Sequence, residues 1–494
     1  MRGVLEVRRF GQVSYLRHMN YLHNFNTFSS KENLMPRAIA RCFVYFSVAL
    51  LFALSFLFGI VTFRGDGVGY YFLFRQVREG NWSLVDASRE GPWQGHYDVK
   101  DVRGGVSAFN QIGVPLFWFA SAPFFGGIPL SSLSFTARVF AIDNVAVLRD
   151  GFAVLSLSLI ASLIIILSVM RWVIRESGVS YRAAGISCLA VFFGMPIWYY
   201  TFQAASYSHT LELLFLSLAL LVFSRAMKNY SIPYCVGCGL LLGFAALMRL
   251  DAWCYVASFA IVMGIRRDTA IRRRVHAVFA LIIPAVLISG IQFYFWYHIF
   301  GRVIPGSESY MFSSYGMPGR FSLQALFHPI NGLFLWSPVV MIGMIALVRA
   351  ARLRAGEFAP QLCALLTVFY IIFVGSSENW WGGISVGARY FIPLYPAIAY
   401  GVAVWYTDII QRGALTLRFA ARAVLLVCAW YYITTALMHP LVSHPGQKPK
   451  AIVPLWREGV GAYGVPSSRF YVRIAKDMLI HNPRALHLIS SPVF

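Results

Sequence analysis

The 494-residue chain is 58% hydrophobic and only 13% charged, against about 25% charged residues in an ordinary soluble protein, so it cannot cover a soluble surface, and its apolar content excludes disorder. The net charge of +22, from 42 Lys and Arg against 20 Asp and Glu, lies mostly in short runs between apolar segments. That placement points to membrane topology and anionic lipid headgroups rather than to nucleic acid.

Apolar runs of about 18–25 residues match the length of a membrane-crossing helix, so the sequence predicts an all-α polytopic membrane protein. Residues 1–38 read as a cytoplasmic N-terminal tail. The first span, 40–63, is too long for a signal-peptide core and reads as retained. Further spans are predicted over 147–170, 183–203, 207–226, 232–248, 252–265, 274–300, 331–348, 358–375, 388–407 and 417–438. Segment 112–126 is apolar but short and contains Pro115 and Pro123. It reads as re-entrant, giving about 11–12 transmembrane helices in all.

Placing the N-terminus inside puts segments 1–41, 171–182, 225–228, 266–274, 349–354 and 412–422 on the inner face. These hold more than half of the Lys and Arg residues, while most acids fall outside, as the positive-inside rule requires. The long connections are then all outer: 64–111, 301–330, 376–387 and the segment from 441 to 494, a small non-cytoplasmic cover. Loops carried by a rigid scaffold are where function concentrates, so the chemistry belongs on the non-cytoplasmic face of a domain spanning 39–440. Cys235 and Cys238 form a CxxC, but it opens an apolar helix without a second pair, and small-residue helix packing accounts for it better than metal or redox chemistry.

The first outer loop, 64–111, begins Arg64-Gly65-Asp66-Gly67-Val68-Gly69-Tyr70-Tyr71. Its glycines permit close approach of a ligand. The amphipathic stretch Tyr70–Glu79 that follows is predicted to lie at the interface. Asp66 is placed either to take a proton from a hydroxyl or to cap that interfacial helix. Arg249, in Leu247-Met248-Arg249-Leu250-Asp251, sits at an outer turn between spans, where a charge needs a partner or a function; Asp251 is the available partner. His209 and Glu212 share one helix face, either as a site beside Ser206, Tyr207 and Ser208 or as a hydrogen bond locking two helices. The loop Ser376–Gly387 offers Glu378, Trp380 and Trp381, with Arg389 just after it. These form either a sugar-stacking wall or an aromatic belt at the lipid boundary. His328, before Pro329, reads as structural by itself.

An aspartate just past the first span, an interfacial helix and many further spans resemble the GT-C superfamily of membrane glycosyltransferases. The likeness is to the aminoarabinose transferase and protein O-mannosyltransferase type, similar to glycosyltransferase family 39. The strings GDGVGYY, HPINGLFLWSP (328–338) and SSENWWGGISVGARY (376–390) carry the resemblance. It implies a GT-C-like bundle and a hexosyl- or pentosyltransferase using a polyprenyl-phosphate sugar donor. The acceptor would be a lipid, an envelope glycan or a protein. Asp66 would be the general base; Gly67 stands where many members carry a second acid, and Asp86, Glu90, Asp98 or Asp101 in the same loop are candidates for that role. Arg249 or Arg389 would hold the donor phosphate, Tyr70, Tyr71, Trp380 and Trp381 would shape the sugar pocket, and His328 gains weight as a site residue. No metal or cofactor is implied, and the location is a bacterial inner membrane with the active site on its outer face. A transporter or flippase for a lipid-linked sugar is the competing reading, with Glu212 its main support.

Overall fold

The computed structural model describes residues 66–79, 111–125, 145–266, 269–303, 315–354, 356–380, 382 and 386–442. Expectations for the tail 1–38, the first span 40–63, Asp86, Glu90, Asp98, Asp101, Trp381 and residues 443–494 lie outside these. The described residues all belong to one unit, Ala53–Phe494.

Among them the ordered elements are helical, apart from an isolated antiparallel bridge between Tyr315 and Ser377. Helix α1 is Asp66–Glu79 and α2 is Gly113–Phe125. Helices α3 (Val145–Ser177), α4 (Tyr181–Gly194), α5 (Ile197–Phe202), α6 (His209–Asn229) and α7 (Ile232–Met248) follow. After a 3-10 turn at Leu250–Ala252 come α8 (Trp253–Ile265), α9 (Ile271–Phe300), α10 (Ser322–Phe327), α11 (Leu333–Trp336), α12 (Pro338–Leu353) and α13 (Phe358–Gly375). A second 3-10 turn, Arg389–Leu394, leads into α14 (Tyr395–Arg412) and α15 (Leu415–Val442). Five of these helices are long and apolar enough to cross a membrane, within α3, α6, α9, α13 and α15. Their outward faces are greasy: Phe279, Ile283, Leu287 and Tyr294 along α9, and Leu426 and Val427 on α15, are exposed. Such stripes are stable against lipid and not against water.

Three expected spans are interrupted. The stretch 183–203 divides into α4 and α5, because Pro196 has no N–H to continue the ladder. The stretch 331–348 divides at Ser337 before Pro338. The stretch 388–407 opens as the 3-10 turn containing Pro393. Helix α2 has 13 residues, about 20 Å at 1.5 Å per residue, well short of a bilayer core. The amphipathic helix of the first outer loop begins at Asp66 rather than Tyr70, and its Tyr70, Tyr71, Leu73 and Phe74 are buried against protein.

Glycines set the closest helix contacts. A Cβ at Gly239 or Gly243 of α7 would meet Leu281, Ala285 and Ile288 of α9. Likewise, a Cβ at Gly401 of α14 would strike the carbonyl of Gly343 on α12. With no hydrophobic drive between helices in lipid, this backbone-to-backbone fit supplies the packing. Cys235 and Cys238 are buried free thiols on α7, and Cys238 donates to the Ala219 carbonyl of α6 at 3.6 Å.

The bundle has two chemically distinct ends. Arg175, Lys228, Arg266 and Phe358, from the C-terminal ends of α3, α6 and α8 and the start of α13, line one cavity. Arg354 Nη1 donates to the Ser177 carbonyl there at 3.4 Å. The opposite ends of α6, α8 and α13 carry His209, Glu212, Asp251 and the 376–390 loop. Arg175, Lys228, Arg266 and Arg354 thus lie at the ends of these helices opposite His209, Glu212, Asp251 and Trp380.

Candidate active site

Helix α7 stops at Met248. Arg249 is fully extended (φ −157°, ψ 132°), and the 3-10 turn Leu250–Ala252 then reverses the chain. This geometry folds the Arg249 side chain back into the bundle, where the residue is only 9% exposed. Its Nε lies 3.0 Å from Asp251 Oδ1 and 3.2 Å from Oε2 of Glu212, which is fully buried in the first turn of α6. Burial pulls the Arg249 pKa down, but the carboxylates of Asp251 and Glu212 together outweigh it and the net direction is up. The Tyr370 hydroxyl donates to the Asp251 carbonyl at 3.1 Å, fixing the turn to α13.

Tyr390 joins this cluster to the second arginine. The Arg249 guanidinium carbon is 5.6 Å from the Tyr390 ring centre, and that of Arg389 is 5.2 Å from it. Arg389 also lies 5.5 Å from the ring of Tyr207. All three distances are within cation–π range. Tyr207 is nearly parallel to the His209 ring, at 6.4 Å and 12°, and Tyr200 meets His209 edge-on at 4.8 Å. His209 is fully buried, and neither ring nitrogen has a hydrogen-bond partner among the described residues. The sequence pair His209–Glu212 is thus not a mutual hydrogen bond: Glu212 turns to Arg249 and His209 to tyrosine rings.

The start of α1 reaches the same place. A Cβ on Gly67 would overlap the hydroxymethyl group of Ser206, so Asp66, the first residue of α1, is carried beside the turn Ser206-Tyr207-Ser208-His209. Two residues of α1 diverge. Tyr70 donates to Gln111 Oε1 at 3.1 Å. Tyr71 instead donates to Asp150 Oδ2 at 2.9 Å, which also takes Arg78 Nη1 at 3.2 Å.

The 376–382 loop is pinned by backbone bonds from Phe321 N to Gly375 O (2.6 Å) and from Gly316 N to Ser376 O (2.9 Å). Trp380 is buried edge-on to His328 at 5.1 Å. His328 Nδ1 accepts from Ile330 N at 3.2 Å, a local turn-closing role. Glu378 is exposed.

The site is therefore a polar cluster sunk at one end of an apolar bundle. It holds two arginines, two carboxylates and a tyrosine wall, and helix α1 is docked on its rim.

No protein-family model matches the chain, and no curated protein does. Solved structures are similar to it. ArnT from Cupriavidus metallidurans bound to undecaprenyl phosphate is 14% identical, with 90% of this chain and 77% of that one covered and a TM-score of 0.46. The archaeal oligosaccharyltransferase AglB from Archaeoglobus fulgidus, in complex with an inhibitory peptide and a dolichol-phosphate, is 12% identical at a TM-score of 0.45. That match covers 88% of this chain and 61% of the archaeal enzyme.

Sequence reasoning singled out Arg249, Asp251, Glu212, His209 and Arg389, and the fold brings these five together. It passed over Tyr390, whose ring meets both guanidinium groups, although Tyr390 directly follows Arg389. It also passed over Tyr200 and Tyr370. The available signal was the density of tyrosines flanking charged residues at span ends; hydropathy treats those tyrosines as ordinary span residues.

Proposed function

We propose that this chain is a membrane glycosyltransferase that moves a sugar from a polyprenyl-phosphate donor to a hydroxyl on a lipid, envelope glycan or protein. The observation that carries this reading is the docking of the α1 start, through Gly67 on Ser206, beside the Arg249–Glu212–Asp251–Tyr390–Arg389 cluster. In this reading Asp66 serves the acceptor, the arginines serve a phosphate and the tyrosine rings serve a sugar. The resemblance of GDGVGYY and SSENWWGGISVGARY to GT-C sequences supports it. The proposed setting is a bacterial inner membrane, with the cluster on the outer side.

In this mechanism the acceptor oxygen attacks the anomeric carbon while the bond from that carbon to the donor phosphate oxygen breaks. Polyprenyl phosphate leaves with the bonding electrons, and Asp66 takes the hydroxyl proton. A β-linked donor gives an inverted product. The two arginines divide the work. Arg249 is matched by two carboxylates within 3.2 Å, which leaves it little attraction for a further anion, so its task is to hold Tyr390 and the turn. Arg389 is half-buried at the rim and is the cation assigned to the leaving phosphate. The same ion pair weakens the transporter reading, because the buried acid that suggested it is engaged by Arg249.

The test is sugar transfer in membranes, with a panel of polyprenyl-phosphate sugars and wild type matched in folded amount to Asp66→Asn. Loss of transfer with donor binding retained is expected. Equal transfer by both proteins would leave Asp66 as merely the first residue of α1. Flipping of the lipid-linked sugar in proteoliposomes without any transfer would establish the transporter instead.

A further inference from the structure

From Thr201 to Glu212, where α5 passes into α6, every residue is buried except the half-buried Tyr207. Within this stretch Ser206 Oγ and both ring nitrogens of His209 are enclosed with no hydrogen-bond partner among the described residues. Burying such groups costs free energy until a partner meets them, and folded proteins leave few of them unmet. Packing does not call for the nitrogens. His209 meets Tyr200 edge-on at 4.8 Å and lies nearly parallel to Tyr207 at 6.4 Å, contacts that a phenylalanine ring would make as well. The imidazole therefore offers polar atoms that its own surroundings do not use.

The chemistry of these atoms defines the missing partner. A neutral imidazole has one N–H donor and one acceptor nitrogen, and a serine hydroxyl both donates and accepts. An ionised phosphate only accepts and an ammonium only donates, so either would leave one ring nitrogen unmet. The hydroxyl groups of a sugar ring do both. Position narrows the choice further. Arg389, assigned above to the leaving phosphate, has its guanidinium carbon 5.5 Å from the Tyr207 ring, which in turn lies 6.4 Å from the His209 ring. A sugar joined to a phosphate at Arg389 would extend along Tyr207 toward His209 and Ser206. We propose that His209 and Ser206 are specificity residues that read hydroxyl groups of the transferred sugar, an inference that rests on the transfer reading above. The imidazole N–H donates to one sugar oxygen, and the bare ring nitrogen and Ser206 Oγ take hydroxyl hydrogens. The half-buried Tyr207 is the part of this stretch that the sugar meets first.

The experiment uses the full chain in a neutral detergent, titrated with bare polyprenyl phosphate and with the same lipid carrying glucose, mannose or arabinose. Affinity is read by native mass spectrometry and by the shift in thermal unfolding. The decisive quantity is the gain in affinity that the sugar confers over the bare lipid. Wild type should show a gain for at least one sugar. His209→Phe, which keeps the ring contacts, should lose about 25-fold of that gain and Ser206→Ala about fivefold, from about fivefold per hydrogen bond. His209→Gln, which restores a donor and an acceptor, should recover part of it. The loss should fall on the sugar-bearing lipid and not on the bare one. Without ligand, His209→Phe should unfold at or above the wild-type temperature, because it removes polar atoms that the fold leaves unmet. A wild type that binds bare and sugar-bearing lipids alike would overturn this inference and leave the transfer reading standing. So would variants that keep the wild-type gain, or that lose affinity for both lipids equally, which would make His209 and Ser206 structural. A wild type that binds no polyprenyl phosphate at all would remove the transfer reading and this inference with it.

Discussion

Replacing Arg249 by Met tests whether the cluster is held by charge. Glu212 is fully buried, and its Oε2 is 3.2 Å from Arg249 Nε. At an effective dielectric of about 20 that separation corresponds to an attraction of about 5 kcal/mol before desolvation. Asp251 Oδ1 adds a second partner at 3.0 Å. Removing the guanidinium strands two carboxylates side by side in an apolar bundle, and breaking a buried pair from one side costs about 3–5 kcal/mol. Met fills the same space without charge, so the loss is electrostatic and not a cavity. Glu212→Gln alone should cost less, because Arg249 keeps Asp251. Added to Arg249→Met, it should recover about 1–3 kcal/mol, since the stranded carboxylate becomes a neutral amide. The assay is equilibrium unfolding in mixed micelles for wild type, both single variants and the double variant, matched in detergent and salt. A coupling energy near zero, with the two single changes simply additive to within about 0.5 kcal/mol, would refute the ion-pair account. So would an Arg249→Met protein as stable as wild type.

Other variants probe separate joints of the site. Gly67→Ala places a methyl on Ser206 and should lower sugar transfer at least about tenfold, because an ångström-scale misplacement of a reacting group can cost about 100-fold. Ser206→Gly in the same chain should restore part of the rate. Tyr390→Leu removes the ring that both guanidinium groups face and should destabilise the fold by about 1–2 kcal/mol, whereas Tyr390→Phe should stay near wild type; thermal unfolding of the pair checks this. Gly401→Ala drives a methyl into the Gly343 carbonyl and should cost about 1–3 kcal/mol, read by the same unfolding measurement.

The apolar runs expressed the helices because each is long and the bilayer demands it. Where the chain bends inside an apolar run, hydropathy has nothing to register: Trp198 to Phe202 continues the greasy pattern of α4 beyond Pro196, yet the missing N–H of that proline splits the run. Arg249 and Glu212 stood out because a charge in an apolar neighbourhood is expensive. That they pair with each other follows from the packing of α6 against α7, which no local pattern encodes. The contact of Gly67 with Ser206 is equally long-range. A glycine beside an aspartate reads as a flexible turn, while in the fold it is the flat spot that lets α1 dock. Tyr71 and Tyr70 are adjacent in sequence but part at the helix surface, one toward Asp150 and the other toward Gln111, and only the placement of α2 and α3 decides that.

Helix α3 is 33 residues long, about 50 Å, whereas the hydrocarbon layer is about 30 Å thick. Its apolar portion begins at Ala153, so Asp150, which grips Tyr71 and Arg78 of α1, lies about one turn outside that portion. The over-long helix acts as a post that fixes the height of α1. In the transfer proposed above, that height would set the depth at which a water-borne acceptor and a lipid-borne donor meet, without either reactant crossing into the other's solvent.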